Sequence, residues 1–169
     1  DELPRTPANF VALSPLRYLD RAAYIYPNQN AIIHGKRRIT WREKYNRCRQ
    51  FAHQLQNLGI GKNDTVSVLL PNVPAMIEAH FAVPMAGAVL NTLNTRLDAK
   101  TLAFMLEHAE TKVLLVDPEF SAVATEALAL VPQQDIYVID VADEEFEGED
   151  TRIGQIEYED WLAQGDANF

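Results

Sequence analysis

The chain has 169 residues, 47% of them hydrophobic, enough to bury roughly 70% of its unfolded surface in one ordinary domain without staples. Its net charge of −9, from 15 basic and 24 acidic residues, excludes nucleic acid and anionic lipid surfaces as partners. One cysteine, Cys48, excludes an internal disulfide, and with neither paired cysteines nor histidines at ligand spacing no metal site is predicted.

From Pro15 to Tyr26, Leu16, Leu19 and Ala23 share one helical face. Ala31–His34 and Arg37–Thr40 flank Gly35-Lys36, and Gly in the first turn position predicts a type II′ hairpin. Trp41, Tyr45, Cys48, Phe51, Ala52, Leu55 and Leu58 then recur at spacings of three and four, which is an amphipathic helix. Thr40 with Glu43 predicts a capping box at its start, and Gly59 a left-handed stop. Cys48 falls on the apolar face and is expected to be a packed thiol.

Strands and helices alternate from there. Thr65–Leu70 is the first strand, and Pro74 opens a helix, Val73–Met85, that is apolar almost all round, with Pro84 in its last turn. Such a helix is expected to be buried on more than one side and, in an isolated domain, to promote homo-oligomers. Ala88–Asn91 is a short strand. Asp98 caps a helix with the stripe Leu102, Met105, Leu106 and Ala109, Lys112–Val116 is the next strand, and Asp117-Pro118 starts a helix through Leu130. The strand Asp135–Ile139 completes the series. An acidic run, Asp143–Asp150, reads as a solvated loop, and Glu157–Ala163 as a short helix carrying Tyr158, Trp161 and Leu162.

The expected fold class is α/β: a mostly parallel sheet with helices on both faces, preceded by a helix and a small β-hairpin. Residues 1–62 hold the first helix, hairpin and amphipathic helix, 63–140 the βα series, and 141–169 the acidic loop and terminal segment. The longest apolar run, Phe81–Leu90, falls well short of the ~20 residues that span a bilayer, so no transmembrane segment is predicted. The start, Asp-Glu-Leu-Pro, lacks Met and a basic, apolar leader, which predicts a trimmed or processed cytoplasmic protein.

Motifs that carry chemistry are sparse. Gly59-Ile-Gly61 follows a helix, not the strand that a dinucleotide fingerprint requires. Ser14, Ser67 and Ser121 lack a nucleophile elbow. Of His34, His53, His80 and His108, only His80, two residues after Glu78, is weighed as a base, against the reading of a hydrogen-bonded core histidine. No catalytic residue and no cofactor-binding residue is assigned.

Three segments, ITWREKYNRCRQFAHQLQNLGIGKNDTVSVLLPN, EAHFAVPMAGAVLNTLNTRLD and LAFMLEHAETKVLLVDPEF, together resemble the amino-terminal part of the AMP-forming acyl-CoA synthetases, and their cadence is most similar to the medium- and long-chain fatty-acyl branch. The resemblance implies a fragment of a larger adenylate-forming fold whose parent activates a carboxylic acid with ATP and Mg, then transfers the acyl group to CoA. It also implies that the Ser/Thr/Gly-rich loop ending in Pro-Lys-Gly, the ribose-binding aspartate and the catalytic lysine belong to the rest of the parent enzyme, which would be this chain's partner. Rival readings are a non-catalytic α/β binding or regulatory module, and a small enzyme built on His80 and Glu78.

Asn91, Asn94 and Arg96 stand where ligands tend to bind, after the carboxyl end of a parallel strand, and form a possible substrate-side loop. The competing reading is that Asn94 and Thr95 make a turn and Asp98 caps the next helix.

Overall fold

The computed structural model describes residues 4–131, 135–149 and 151–169. The first three residues of the expected processed start and Asp150 of the acidic run lie outside the described residues. Helix α1 (Pro15–Ile25) begins where the Ser14 hydroxyl accepts from the Leu16 N–H, and Leu19 and Ala23 are its buried residues. A hairpin of β1 (Asn30–His34) and β2 (Arg37–Thr40) follows. Gly35 takes φ +50, the left-handed value expected at the first turn position.

Helix α2 (Trp41–Asn57) carries the capping box: the Glu43 N–H donates to Thr40 Oγ1 at 3.2 Å and the Thr40 N–H to Glu43 Oε2 at 2.7 Å. The bond from the Thr40 N–H, and then the one that the Thr40 hydroxyl donates to Glu43 Oε2 at 2.8 Å, hold the Glu43 carboxyl below its ordinary value. Gly59, at φ +77, ends the helix. Cys48, Phe51, Ala52 and Leu55 are fully buried.

The βα series runs β3 (Thr65–Leu69), α3 (Pro74–Met85), β4 (Val89–Thr92), α4 (Ala99–His108), β5 (Thr111–Val116), a 3-10 turn at Pro118–Phe120, α5 (Ser121–Ala129) and β6 (Tyr137–Asp140). After the acidic loop come β7 (Ile156–Glu157) and α6 (Tyr158–Ala163). All strand pairs of the five-stranded sheet are parallel, in the order β4-β3-β5-β6-β7. The chain leaves β3 toward one edge and returns across it to β5, so the direction of winding reverses between those two strands.

Side-chain alternation divides the core in two. Val66, Val68, Val113, Leu115 and Ile139 face a cluster with α1, α2, α3 and α6. Leu69, Leu114, Val116 and Val138 face the other, with α4 and α5. Helix α3 is buried through Ala75, Glu78, Ala79, Ala82 and Val83, yet it leaves Ile77, His80 and Pro84 exposed, so one side remains open despite its apolar sequence.

Candidate functional site

In a sheet wound this way, ligands tend to bind beyond the carboxyl ends of the strands. On that rim, a cleft of about 590 Å³ lies between the hairpin turn, the start of α3, the segment after β6 and the start of α6. The hairpin contributes His34, Lys36 and Arg37; α3 contributes Val73, Pro74 and Ala75; the far wall is Val141 to Glu145, closed by Glu157, Tyr158 and Glu159.

Five carboxylates line this cleft, Asp143, Glu144, Glu145, Glu157 and Glu159. Its basic side chains are partly engaged: His34 Nε2 lies 2.7 Å from Asp143 Oδ1, and Arg37 donates to Glu159 at 2.8 Å. Such a wall repels the phosphates of ATP or CoA, so the residues of this cleft do not fit either group. Among the described residues, no three His, Cys, Asp or Glu side chains are grouped to hold a metal ion.

The floor behind the cleft is a buried ion-pair network. Glu78 of α3, fully buried, receives Arg47 Nε at 2.6 Å, Arg47 Nη2 at 3.1 Å and the Tyr158 hydroxyl at 2.5 Å. Arg47 also donates to both oxygens of Glu159, at 2.7 and 2.8 Å. Arg47 balances the buried Glu78, with the buried Lys44 as a further cation nearby, while Arg37 and Glu159 pair at the partly exposed margin. Burial raises the Tyr158 hydroxyl pKa well above its ordinary value, and the Glu78 charge adds to the effect. Burial also pushes the Glu159 carboxyl up, but the hydrogen bonds and charge of Arg47, then Arg37, outweigh it and leave the pKa lowered.

This arrangement separates His80 from Glu78. Glu78 points inward to Arg47 and Tyr158, whereas His80 is exposed and its Nδ1 lies 2.8 Å from the Met76 carbonyl one turn earlier. The expectation of a core histidine is thus corrected, because the apolar helix turns this position outward. Nor do the two form a base and its partner.

Asn91 and Asn94 are held in local bonds. Asn91 donates to Ser67 Oγ at 3.0 Å, and Ser67 Oγ lies 2.7 Å from Thr111 Oγ1, a polar ladder across β4, β3 and β5. Asn94 Oδ1 accepts from the Arg96 N–H at 3.0 Å, and Asp98 caps α4 through the Thr101 N–H at 2.8 Å. The Arg96 side chain is exposed. Sequence reasoning missed the Arg47–Glu78–Tyr158–Glu159 network. The signal for it was a Glu in an otherwise apolar helix and an Arg one residue before Cys48 on the buried stripe.

Residues 19–166 match the model of the AMP-binding enzyme family. A peroxisomal acetate/butyrate–CoA ligase of Arabidopsis thaliana is 45% identical over 100% of this chain and 32% of its own length. A peroxisomal trans-cinnamate:CoA ligase of Petunia hybrida is 55% identical over 78% of this chain and 23% of its own. The chain therefore spans about a third of the length of the curated relatives it matches. In the fold comparison, an anthranilate CoA ligase in complex with anthranoyl-AMP superposes with a TM-score of 0.79 at 21% identity, covering 90% of this chain and 28% of that one.

Two expectations change. These relatives act on short-chain and aromatic acids, so the fatty-acyl branch is not the one they support. The cytoplasmic expectation is overturned, since both plant relatives are peroxisomal. Composition carries no information on that point, because peroxisomal import is read from a short address by a receptor.

Proposed function

The chain belongs to the AMP-binding enzyme family, and from that premise we propose that it is the amino-terminal portion of the large domain of an AMP-forming acid–CoA ligase. The parent enzyme activates a small carboxylic acid, short-chain or aromatic, with ATP to an acyl adenylate and passes the acyl group to CoA, in peroxisomes. The observation that carries this reading is the match of the whole chain, at 45% identity, to about a third of an acetate/butyrate–CoA ligase. A free-standing binding or regulatory module is not favoured, since relatives matched along the whole chain are ligases.

In this reading the chain contributes scaffold and one wall of the substrate region. The rest of the parent brings the groups that meet the pyrophosphate, where charge develops as the acyl adenylate forms. A Ser/Thr/Gly-rich loop ending in Pro-Lys-Gly is expected roughly 10 to 25 residues after Phe169, in keeping with the short connections of α/β units. Asn91 and Asn94 shape the loop after β4, and Arg96 is its exposed cation, suited to an anionic group of the acid or of CoA.

Pyrophosphate exchange by the full-length parent, measured with acetate, butyrate, benzoate, cinnamate and palmitate, tests the proposal. Exchange driven by one or more of the first four acids is expected. No exchange with any acid, or exchange with palmitate alone, overturns it. In the same protein Arg96→Ala is expected to raise the KM for the acid or CoA, and Asn94→Ala to lower the melting temperature with KM unchanged.

A further inference from the structure

Along α2, Gln50, His53, Gln54 and Asn57 recur at spacings of three and four, so they share one face of the helix. Three of them meet backbone. Gln54 donates to the Trp161 carbonyl at 2.8 Å and Gln50 to the Gly165 carbonyl at 3.3 Å, while the Asp166 N–H donates to His53 Nδ1 at 3.2 Å. Residues 165–169 thus lie along α2 as a strap, with the Phe169 ring 5.5 Å from the His53 ring. Gly165 permits the close approach, since a Cβ there would stand 2.5 Å from the Gln50 carbonyl oxygen and 2.8 Å from its Cα.

Glutamine keeps its hydrogen-bonding role at any pH. Histidine does not. Because His53 Nδ1 receives a backbone N–H, it presents a lone pair, and the neutral ring carries its proton on Nε2. A second donor points the same way. The Trp161 carbonyl can only accept, so the amide of Gln54 turns its nitrogen to it and its Oε1 to Asn57 Nδ2 at 3.0 Å. That same Asn57 nitrogen lies 3.3 Å from His53 Nδ1. A protonated imidazole donates from both nitrogens, so its Nδ1–H would be aimed at two donors and would accept from neither. Charged groups face this corner from three elements: Arg49 one turn back on α2, Asp166 on the strap, and Arg17 and Asp20 of α1, which share a groove with Arg49 and Phe169. Two acids and two cations balance, and Asp166 Oδ1 already accepts from the Asn168 N–H at 2.7 Å. Hydrogen-bond geometry therefore decides.

We propose that His53 is a proton-operated clasp for the strap at residues 165–169, closed while Nδ1 accepts the Asp166 N–H and released when that nitrogen is protonated. Acidification through the range in which imidazoles charge, about pH 8 to 5, loosens the strap from α2. One consequence rests on the reading of the chain as part of a longer ligase: there the strap leads toward the rest of the parent, and the clasp sets how firmly that joint is held.

Residue-resolved hydrogen exchange on the full-length parent, corrected for the intrinsic pH dependence of exchange, tests the clasp. The Asp166 amide is expected to lose about tenfold or more of its protection between about pH 8 and 5. The Leu58 amide, bonded to the Gln54 carbonyl at the end of α2, is the reference and is expected to keep its protection. His53→Gln offers an accepting oxygen and gains no proton, so Asp166 protection in that variant is expected to stay even across the range. Even protection in the unaltered protein, protection that rises on acidification, or a loss of equal size in His53→Gln overturns the proposal. Acid–CoA ligase activity is measured on the same preparation. An active parent with even protection sinks the clasp and leaves the ligase reading intact, and an inactive parent whose Asp166 amide is released by acid does the reverse.

Discussion

The two faces of the sheet hold their helices by different means. On one, α6 is six residues long and about 110 positions from α2, too short to persist alone and too distant for a connecting loop to place it. Aromatic rings and charge fix it. Phe51 meets Tyr158 and Trp161 edge-on at 5.6 and 5.1 Å, Gln54 donates to the Trp161 carbonyl at 2.8 Å, and Arg47 ties Glu159 to Glu78. On the other face, α4 and α5 are crossover helices placed by their neighbouring strands. Their core is Leu, Val, Ile and Ala, and their polar bonds are few: caps at Asp98 and Asp117, and the Ser121 hydroxyl donating to the Thr151 carbonyl. Long-range placement uses directional bonds, and short-range placement uses shape and caps.

The largest effect that sharpens this contrast is expected from Arg47→Met. It leaves Glu78 charged and buried without its cation, and breaking a buried pair from one side costs about 3–5 kcal/mol. Urea unfolding followed by the combined fluorescence of Trp41 and Trp161 measures it. The double change Arg47→Met with Glu78→Leu is expected to recover much of the loss, because the buried carboxylate leaves together with its guanidinium partner. On the opposite face Leu106→Ala is expected to cost about 2–5 kcal/mol through the cavity it leaves, while Leu106→Met costs less than about 1.5 kcal/mol. A core that depends on shape tolerates the second change and not the first.

Asp98→Ala removes a cap and is expected to cost about 1 kcal/mol. The smallest effect is a pH dependence. Glu159 has a folded pKa below its unfolded one, so its contribution is full above the ordinary carboxylate value and is lost as pH falls through the lowered folded value. Stability curves recorded between about pH 6 and 3 should show this loss, reduced in the Arg47→Met protein. Equal slopes for the two proteins would break the comparison.

The βα series was readable because each strand and helix announces itself by period, and the capping box at Thr40 and the turn at Gly35 by residue type. Strand ends moved by a residue or two: β4 runs Val89–Thr92 where Ala88–Asn91 was expected, and β6 Tyr137–Asp140 where Asp135–Ile139 was. β7 was not visible, since two residues carry no period. Helix α4 gives way at Glu110, which adopts φ +49 without the glycine that marks such stops elsewhere. The buried network was hidden for a different reason: a charged residue on a helix reads as solvated until its partner, as many as 122 positions away, is placed beside it.

Cys48 has a use that follows from its burial. It is the chain's single thiol, it has no solvent exposure, and its Sγ lies 3.7 Å from the Glu78 carbonyl at the seam of α2 and α3. Burial pushes its pKa far above that of a free thiol, with the Glu78 charge adding to the shift. An alkylating reagent can therefore reach it only while the seam is parted. Within this chain, the rate of label uptake is a clock for that opening, read by mass alone and without adding a probe.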